Sequence, residues 1–319
     1  MFENSANYII NEKMNEIEKK TEREKVEKNK SLDCIINLDH LKFEKNVFKT
    51  NKQYHYVINA VKFFFLEKGF YECFTENMLS MFSVCDPFNV KIYECDKQKF
   101  TFIQTNQICL DEELLKNPSV SGFFCITNVY KKDSLSTYPI LEFILNGNIN
   151  SLEVLEKELL NYLEYHQVSK CVEQDYSYIS KKKNADVICL SDDIKQKIHE
   201  KFGTVFFLKN YPEYANTHWN IKKNQNNTYN KITVILSGQE VIESYENDTD
   251  KKQIFETFTT MQNGTYNKKL YELFGEKYVN ETLNNYLSNT FITRSSGKIY
   301  INELIISMLQ EGLIPEYYR

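Results

Sequence analysis

A chain of 319 residues, 42% of them hydrophobic, is long enough for one large domain or two small ones and can build a sizeable core. Its net charge of −5 excludes a basic nucleic-acid footprint spread over the surface, although a local basic groove stays compatible with that charge. Eight cysteines and five histidines are scattered without CxxC or zinc-ligand spacing, which predicts a reduced, cytoplasmic protein without a zinc site.

The first 48 residues are expected to form a charged extension, helical or mobile, in front of a main domain over residues 49–319. Residues 11–30 read NEKMNEIEKKTEREKVEKNK, with opposite charges three and four residues apart that suit a solvent-exposed helix. Few apolar residues recur on one face, so a coiled coil is not expected. The beginning of the sequence lacks the pattern of a signal peptide, and no run approaches the ~18 apolar residues that cross a bilayer.

The first clear helix is predicted over residues 54–69. Its apolar side chains fall near one side of the helix, and Gly69 suits a C-terminal cap. A strand is expected over residues 70–75, after which the run SVCDPF at residues 83–88 interrupts regular structure. Two further strands are predicted to pair with each other, over residues 90–94 and 99–104.

A hairpin is predicted from the next stretch, where strand-like runs at residues 123–130 and 139–145 flank a short polar turn. A helix over residues 108–116, rich in acidic side chains, precedes it. Charged residues at the tip of such a hairpin suit phosphate and carboxylate groups, and an aromatic ring such as Phe143 on the return strand suits stacking on a base. The hairpin therefore indicates nucleotide binding.

Helices and strands follow the hairpin without a regular alternation. Leucines at helical spacing predict a helix within residues 148–167, with Ser151 as the candidate N-cap. A second helix is expected over residues 192–201, and its paired aspartates fit a helix start better than a catalytic dyad. Strands are predicted over residues 204–209, 231–236 and 290–300. These elements predict an α+β fold with a mainly antiparallel sheet flanked by helices.

Several of these segments together resemble the catalytic core of class II aminoacyl-tRNA synthetases, in the aspartate/asparagine branch, which also contains the stand-alone, A-type asparagine synthetase. The family's motif 2 hairpin opens with aromatic-Arg-x-Glu and returns with Glu-Phe, and this chain has YKKD at residues 130–133 and Glu142-Phe143. The helix-Gly-strand unit before residue 75 is similar to motif 1, which builds the family's dimer interface. The resemblance covers about residues 54–309.

The resemblance implies an ATP site on the hairpin. Lys131 stands at the family's catalytic arginine and would hold the α-phosphate, while Asp133 stands at the following acid. Glu142 and Phe143 would contact the adenine, with the ring of Phe143 stacked on it. A lysine cannot reproduce the planar bidentate fork of arginine, so weaker positioning of the phosphate is expected.

Substrate and metal positions also follow from the resemblance. Gln104 and Gln107 would bind the amino-acid substrate. Glu240 stands in a Gly-x-Glu pattern after a predicted strand, where the family holds magnesium and the ATP phosphates. Carboxylate oxygens are ligands that Mg²⁺ prefers, although without the resemblance an ordinary acid at a strand end is the favoured interpretation.

Four positions depart from the family's pattern. Glu303 stands where the family has an arginine that clamps the γ-phosphate, and Lys298 and Tyr300 stand within its glycine-rich run. Glu243 stands at another family glycine. Two like charges about 4 Å apart repel by roughly 1–4 kcal/mol at partly shielded sites, so Glu303 is expected to weaken ATP binding.

Two functions remain open on this basis. The first is a pseudoenzyme or weakly active paralogue with a degenerate ATP site, acting as a binding or accessory subunit. The second is an ATP- and Mg²⁺-dependent ligase that activates aspartate or a similar amino acid as an adenylate, for transfer to ammonia, another amine or tRNA. The resemblance implies a homodimer in both cases. The segment before residue 49 is too short and too charged to be the family's anticodon-binding barrel, and no membrane contact is expected.

Overall fold

A computed structural model describes residues 50–75, 81–90, 92–95, 98–130, 137–183, 189–216 and 218–319. The predicted N-terminal extension lies outside the described residues, so the domain boundary after residue 48 stays a prediction. The described α-helices are α1 (Asn51–Glu67), α2 (Gln107–Lys116), α3 (Ile149–Tyr162), α4 (Ser177–Lys183), α5 (Asp192–Phe202), α6 (Lys251–Phe274), α7 (Glu276–Ser288) and α8 (Ile301–Gln310). The described strands are β1 (Tyr71–Glu72), β2 (Ile92–Cys95), β3 (Gln98–Thr101), β4 (Gly122–Tyr130), β5 (Thr137–Asn146), β6 (Val172–Asp175), β7 (Val205–Tyr211), β8 (Tyr229–Leu236), β9 (Gln239–Glu246) and β10 (Arg294–Tyr300).

Eight of these strands form one sheet in the order β1-β4-β5-β10-β9-β8-β7-β6, and β2 pairs with β3 separately. The five pairings from β4 to β7 are antiparallel, whereas β1 and β6 are parallel to their neighbours at the two edges. The predicted α+β class with a mainly antiparallel sheet is therefore confirmed.

The first face of the sheet carries the main hydrophobic core. Side chains alternate between the two faces of a strand, so Phe124, Phe143 and Ile299 point to the same side. Helices α1, α3 and α8 cover this side with their apolar faces, to which Phe65, Leu160 and other buried residues contribute. Because these side chains point into the core, their neighbours along each strand point to the opposite face of the sheet.

The second face is covered at its ends and polar in its middle. Leu110 and Leu114 of α2 pack on β4 and β5, while Ile194 and Ile198 of α5 pack on the β7 side. Between these two ends, strands β10, β9 and β8 present charged and hydroxyl side chains, among them Lys298 and Glu243. The fold thus places a polar region at the centre of the sheet.

Local sequence signals explain most helix ends. Thr50 and Gln53 form a capping box at the start of α1, and Gly203, with φ of 92°, ends α5 as predicted. The predicted N-cap at Ser151 is wrong, because the side chain of Asn148 accepts the first N–H groups of α3. None of the described helices combines the length and hydrophobicity that crossing a bilayer requires.

Candidate functional site

A buried cluster of charges occupies the centre of the second sheet face. The carboxylate of Glu243 on β9 forms ion pairs with Lys231 of β8 and with Lys298 of β10, the latter at 2.9 Å. The hydroxyl of Tyr300 donates a hydrogen bond to the same carboxylate at 3.0 Å. Burial by itself would raise the pKa of Glu243, but the charges of Lys231 and Lys298 outweigh it and hold that pKa well below its usual range.

Three of these four residues were singled out from the sequence, although not as partners of one another. Glu243, Lys298 and Tyr300 were predicted as departures from a glycine-based ATP site, and the structure brings all three together. Lys231 was missed. It begins the run KITVIL, in which alternation puts Lys231 and Thr233 on one face and Ile232, Val234 and Leu236 on the other, so a signal was present.

Glu142 lies on β5, directly opposite Lys298 in the strand register. Its side chain is fully buried, and it accepts hydrogen bonds from the Thr105 hydroxyl at 2.5 Å and from the Asn106 N–H at 2.6 Å. Burial raises the pKa of Glu142, and the two hydrogen bonds oppose that effect. The residue therefore ties the segment before α2 to the hairpin.

Phe143 was predicted to stack on adenine, but its ring lies on the opposite face from Glu142. The ring is buried in the core, 5.0 Å from that of Phe65 between ring centroids. It also fills the space over Gly297, where an added Cβ would approach the ring to 2.4 Å. Neighbouring residues of a strand point to opposite sides, so Phe143 points into the core while Glu142 points to the second face. No face of the ring is therefore exposed for a base to stack on.

The two predicted substrate residues make intramolecular contacts. The Gln104 amide accepts a hydrogen bond from the Asp86 N–H and donates to the carbonyls of Asp86 and Asn89. The Gln107 amide donates to the Gly297 carbonyl at 2.7 Å, while its oxygen has no partner among the described residues. Gln104 therefore closes a loop, and Gln107 joins α2 to β10.

A small cavity of about 30 Å³ lies beside Gln107 on the second sheet face. That volume has room for only a few water molecules. Its lining is aromatic and neutral-polar, with no Asp, Glu, Lys or Arg among the described residues. The lining residues are Phe82, Val84, Cys85, Thr105, Gln107, Ile108, His218, Trp219, Asn220, Tyr245 and Tyr266.

The other predicted positions have separate placements. Lys131 and Asp133 lie outside the described residues. Glu303 is in the first turn of α8, close enough to Tyr54 of α1 for its charge to add to the effect of burial in raising the pKa of that tyrosine. The roles predicted for these three residues stay predictions.

Glu240, the predicted magnesium ligand, follows β8 as predicted and is the second residue of β9. Its pKa is raised by burial, with the charge of Lys195 opposing that effect and the charge of Glu243 adding to it. Within the described part of the chain, no group of three or more His, Cys, Asp or Glu side chains is placed to hold a metal ion. Mg²⁺ binds through as few as one or two carboxylates together with waters and substrate phosphates, so the role predicted for Glu240 stays a prediction.

Comparison with known proteins gives a structural match without a sequence match. No protein-family model matches the sequence, and no curated protein is detectably similar to it in sequence. The fold is similar to that of asparaginyl-tRNA synthetase from Pyrococcus horikoshii complexed with asparaginyl-adenylate, with a TM-score of 0.65 and 15% identity over 81% of this chain and 64% of that one.

Two further solved structures agree with that result. The asparaginyl-tRNA synthetase of Entamoeba histolytica, in complex with asparaginyl-adenylate, has a TM-score of 0.61 and 12% identity over 82% of this chain and 63% of that one. A putative aspartyl-tRNA synthetase from Leishmania major Friedlin has a TM-score of 0.61 and 11% identity over 81% and 61%.

The chain thus spans less than two thirds of the length of each of these three proteins. Each match includes most of this chain, and the three matched structures are of asparaginyl-tRNA synthetases and a putative aspartyl-tRNA synthetase, as the resemblance of the motifs implied. The eight-stranded, mostly antiparallel sheet with its flanking helices is the fold of a class II aminoacyl-tRNA synthetase-like catalytic core.

Proposed function

We propose that this chain is a class II synthetase-like pseudoenzyme, or a weakly active paralogue, that acts as a binding or accessory subunit. The proposal rests on one observation: at the centre of the sheet, Lys231, Lys298 and Tyr300 already bind the carboxylate of Glu243. Catalysis of adenylate formation needs cations aimed at phosphate oxygens. Here both central lysines are already bound to a carboxylate of the chain itself.

Two further features support a closed site. The cavity beside Gln107 is far smaller than a nucleotide, and the ring of Phe143 is buried in the core. Binding of ATP at this position would therefore require rearrangement of the described side chains.

The competing proposal is a ligase that activates aspartate or a similar amino acid. It is favoured by the fold similarity to two asparaginyl-tRNA synthetases that hold asparaginyl-adenylate. ATP–pyrophosphate exchange with aspartate and with asparagine separates the two proposals. We expect exchange that is absent or far below the ordinary enzyme range of about 1–10³ s⁻¹, whereas turnover within that range would establish the ligase.

Calorimetric titration with Mg-ATP tests the role that the resemblance implies for Glu303, at the γ-phosphate of ATP. The expected result is no measurable binding to the wild-type protein and a gain of binding on Glu303→Arg, because that change replaces a repulsive charge by an attractive one. Glu303→Gln is the matched control, since it removes the charge without adding a cation. Micromolar binding by the wild type would contradict the closed-site proposal.

We further propose that the protein is a homodimer through the surface around α1 and β1. Phe63, Leu66, Tyr71 and Phe74 are exposed there, Phe74 to 99%. The ion pair between Lys62 and Glu72, at 2.6 Å, holds helix and strand together. Exposed apolar patches of this kind mark interaction surfaces, and β1 lies at the edge of the sheet.

Light scattering after gel filtration tests this dimer. The double variant Tyr71→Ser/Phe74→Ser is expected to run as a monomer where the wild type runs as a dimer, because it removes two exposed aromatic rings from the proposed interface. Phe255→Ser removes an exposed ring from α6 and should leave the dimer intact. A monomeric wild-type protein, or a double variant that stays dimeric, would contradict the proposal.

A cytoplasmic location is the remaining part of the proposal. Six of the described cysteines form no disulfide, among them the buried Cys125 and the exposed Cys109 and Cys189. Exposed free thiols persist in a reducing compartment and oxidise elsewhere. Their state supports the location that the scattered cysteines of the sequence predict.

A further inference from the structure

We propose that the carboxylate of Glu243 fills an oxyanion-binding site built by Lys231, Lys298 and Tyr300, and that this site accepts a phosphate-type ligand when Glu243 is withdrawn. The inference rests on the proposed function, since it explains how the centre of the sheet is closed. It adds the chemical class of the ligand that the closed site would take.

The donors come from strands on both sides of Glu243. Lys298 lies directly opposite Glu243 on β10, and Tyr300 follows two residues later on the same face. On the other side, Thr233 of β8 lies opposite Glu243, and Lys231 precedes Thr233 by two residues. The donor atoms are therefore placed by paired strands in the middle of a sheet, which is more rigid than a loop.

Both carboxylate oxygens of Glu243 are engaged. Lys298 Nζ lies 2.9 Å from Oε2 and the Tyr300 hydroxyl 3.0 Å from the same atom, while Lys231 Nζ contacts Oε1. Two ammonium groups and a hydroxyl form a set of donors aimed at one point, which is the requirement for binding carboxylate or phosphate oxygens.

Burial makes an anion at this point necessary. Lys231 and Lys298 are only 4% and 9% exposed, and buried lysines without an anionic partner are strongly unfavourable. The Glu243 side chain is 17% exposed, so its end of the cluster is the part that solvent reaches. His218 adds a further favourable charge, while Glu240 and Glu142, the latter opposite Lys298 on β5, are nearby carboxylates that oppose an anion.

Glutamate is thus the element of the cluster that a ligand can replace. If its side chain is removed, two buried cations and a hydroxyl remain in position around the space that the side chain filled, at the end of the cluster that solvent reaches. A phosphate group presents the same oxygen chemistry with more charge, and lysine binds it as a point charge. Removal of Glu243 should therefore create binding, which is the reverse of the usual effect of deleting a site residue.

The test uses inorganic pyrophosphate as the probe, with calorimetry and thermal unfolding as readouts. Glu243→Ala is expected to bind pyrophosphate at least about tenfold more tightly than the wild type, a difference of about 1.4 kcal/mol. Its Tm should rise with pyrophosphate while that of the wild type stays constant. Glu243→Gln removes the charge but still fills the space, so its gain should be smaller than that of the alanine variant.

Two controls show whether the cluster is responsible. Adding Lys298→Met to Glu243→Ala should abolish the gained binding, because one of the two cations is lost. Glu246→Ala removes a different buried glutamate of β9, whose partner Lys222 is largely accessible to solvent, and should gain no pyrophosphate binding. Equal gains in the two alanine variants would overturn the proposal.

Loss of folding is also informative. If Glu243→Ala and Glu243→Gln are unfolded in buffer, millimolar pyrophosphate should restore the folded state of the alanine variant, since it replaces the missing anion. Folded variants without gained affinity, or unfolded variants that pyrophosphate does not rescue, overturn the proposal. Adenylate formation by the wild type would instead defeat the closed-site function, so the two failures are distinguishable.

Discussion

Replacing Arg294 with methionine is expected to destabilise the protein by about 3–5 kcal/mol, because it leaves a buried carboxylate without its partner. Arg294 on β10 is fully buried and binds both oxygens of the equally buried Asp111 on α2. Its guanidinium also donates to the Tyr286 hydroxyl at 3.0 Å and to the carbonyl of Asp248 at 3.2 Å. Urea unfolding monitored by circular dichroism measures the loss.

The double variant Asp111→Leu/Arg294→Met shows how much of the destabilisation comes from the unpaired buried carboxylate and how much from lost packing contacts. With both charges removed, no ion remains buried without a partner, so the double variant should be more stable than Arg294→Met alone. Arg319→Met is a surface control, because that residue is exposed and its guanidinium donates hydrogen bonds to the carbonyls of Ile314 and Gly312. A loss below about 1 kcal/mol in the single variant would show that the pair contributes little.

The elements best predicted from the sequence are those whose signal is local. The hairpin of β4 and β5 was predicted within about two residues, since alternation and a polar turn define it. The end of α5 at Gly203 was equally clear. Strand β9 was missed because its run QEVIESYE mixes charged and apolar residues around a bulge between Val234 and Ile235 of the partner strand.

Helices α6 and α7 were also not predicted. Helix α6 includes four residues with non-helical angles, Met261–Gly264, so its apolar residues do not keep one helical phase. Its buried positions, among them Phe258 and Leu270, therefore fall on different sides of an ideal helix. A periodic pattern cannot be recognised when the helix that produces it is interrupted.

The candidate site was predicted in its residues but not in their partners. Glu243, Lys298 and Tyr300 were picked out as departures from a ligand site, and they contact one another because β9 and β10 are neighbours in one register. The order of strands in a sheet cannot be read from a single sequence, so these contacts could not be predicted from it. For Glu142 and Phe143, alternation alone was sufficient to show that adjacent residues cannot face the same ligand.

Glu156 is expected to make the protein less stable as pH rises, and Glu156→Gln to remove that loss. The residue lies in α3, 1% exposed, with the Ser244 hydroxyl donating to one carboxylate oxygen and no described partner for the other. Burial raises its pKa from 4.5 to about 8, against the opposing hydrogen bond from Ser244. The folded state thus holds Glu156 protonated at neutral pH.

The sign of the pH effect follows from this raised pKa. Below pH 4.5 the side chain is protonated in both folded and unfolded chains and has no effect on the free energy of unfolding. Between pH 4.5 and about 8 only the unfolded chain ionises, so stability falls with rising pH by about 1.4 kcal/mol per unit. Above about pH 8 both states are ionised and the loss is constant.

Glutamine keeps the shape of the side chain and cannot ionise, so Glu156→Gln should be up to about 3 kcal/mol more stable than the wild type at pH 7. The difference in unfolding free energy should be small near pH 4.5, grow through neutral pH and flatten above about 8. Glu158→Gln, on the same helix but paired with Lys68 at the surface, should change little at any pH. A pH-independent difference for Glu156→Gln would mean that the buried carboxyl does not titrate as its surroundings predict, since only a proton held in the folded state produces this slope.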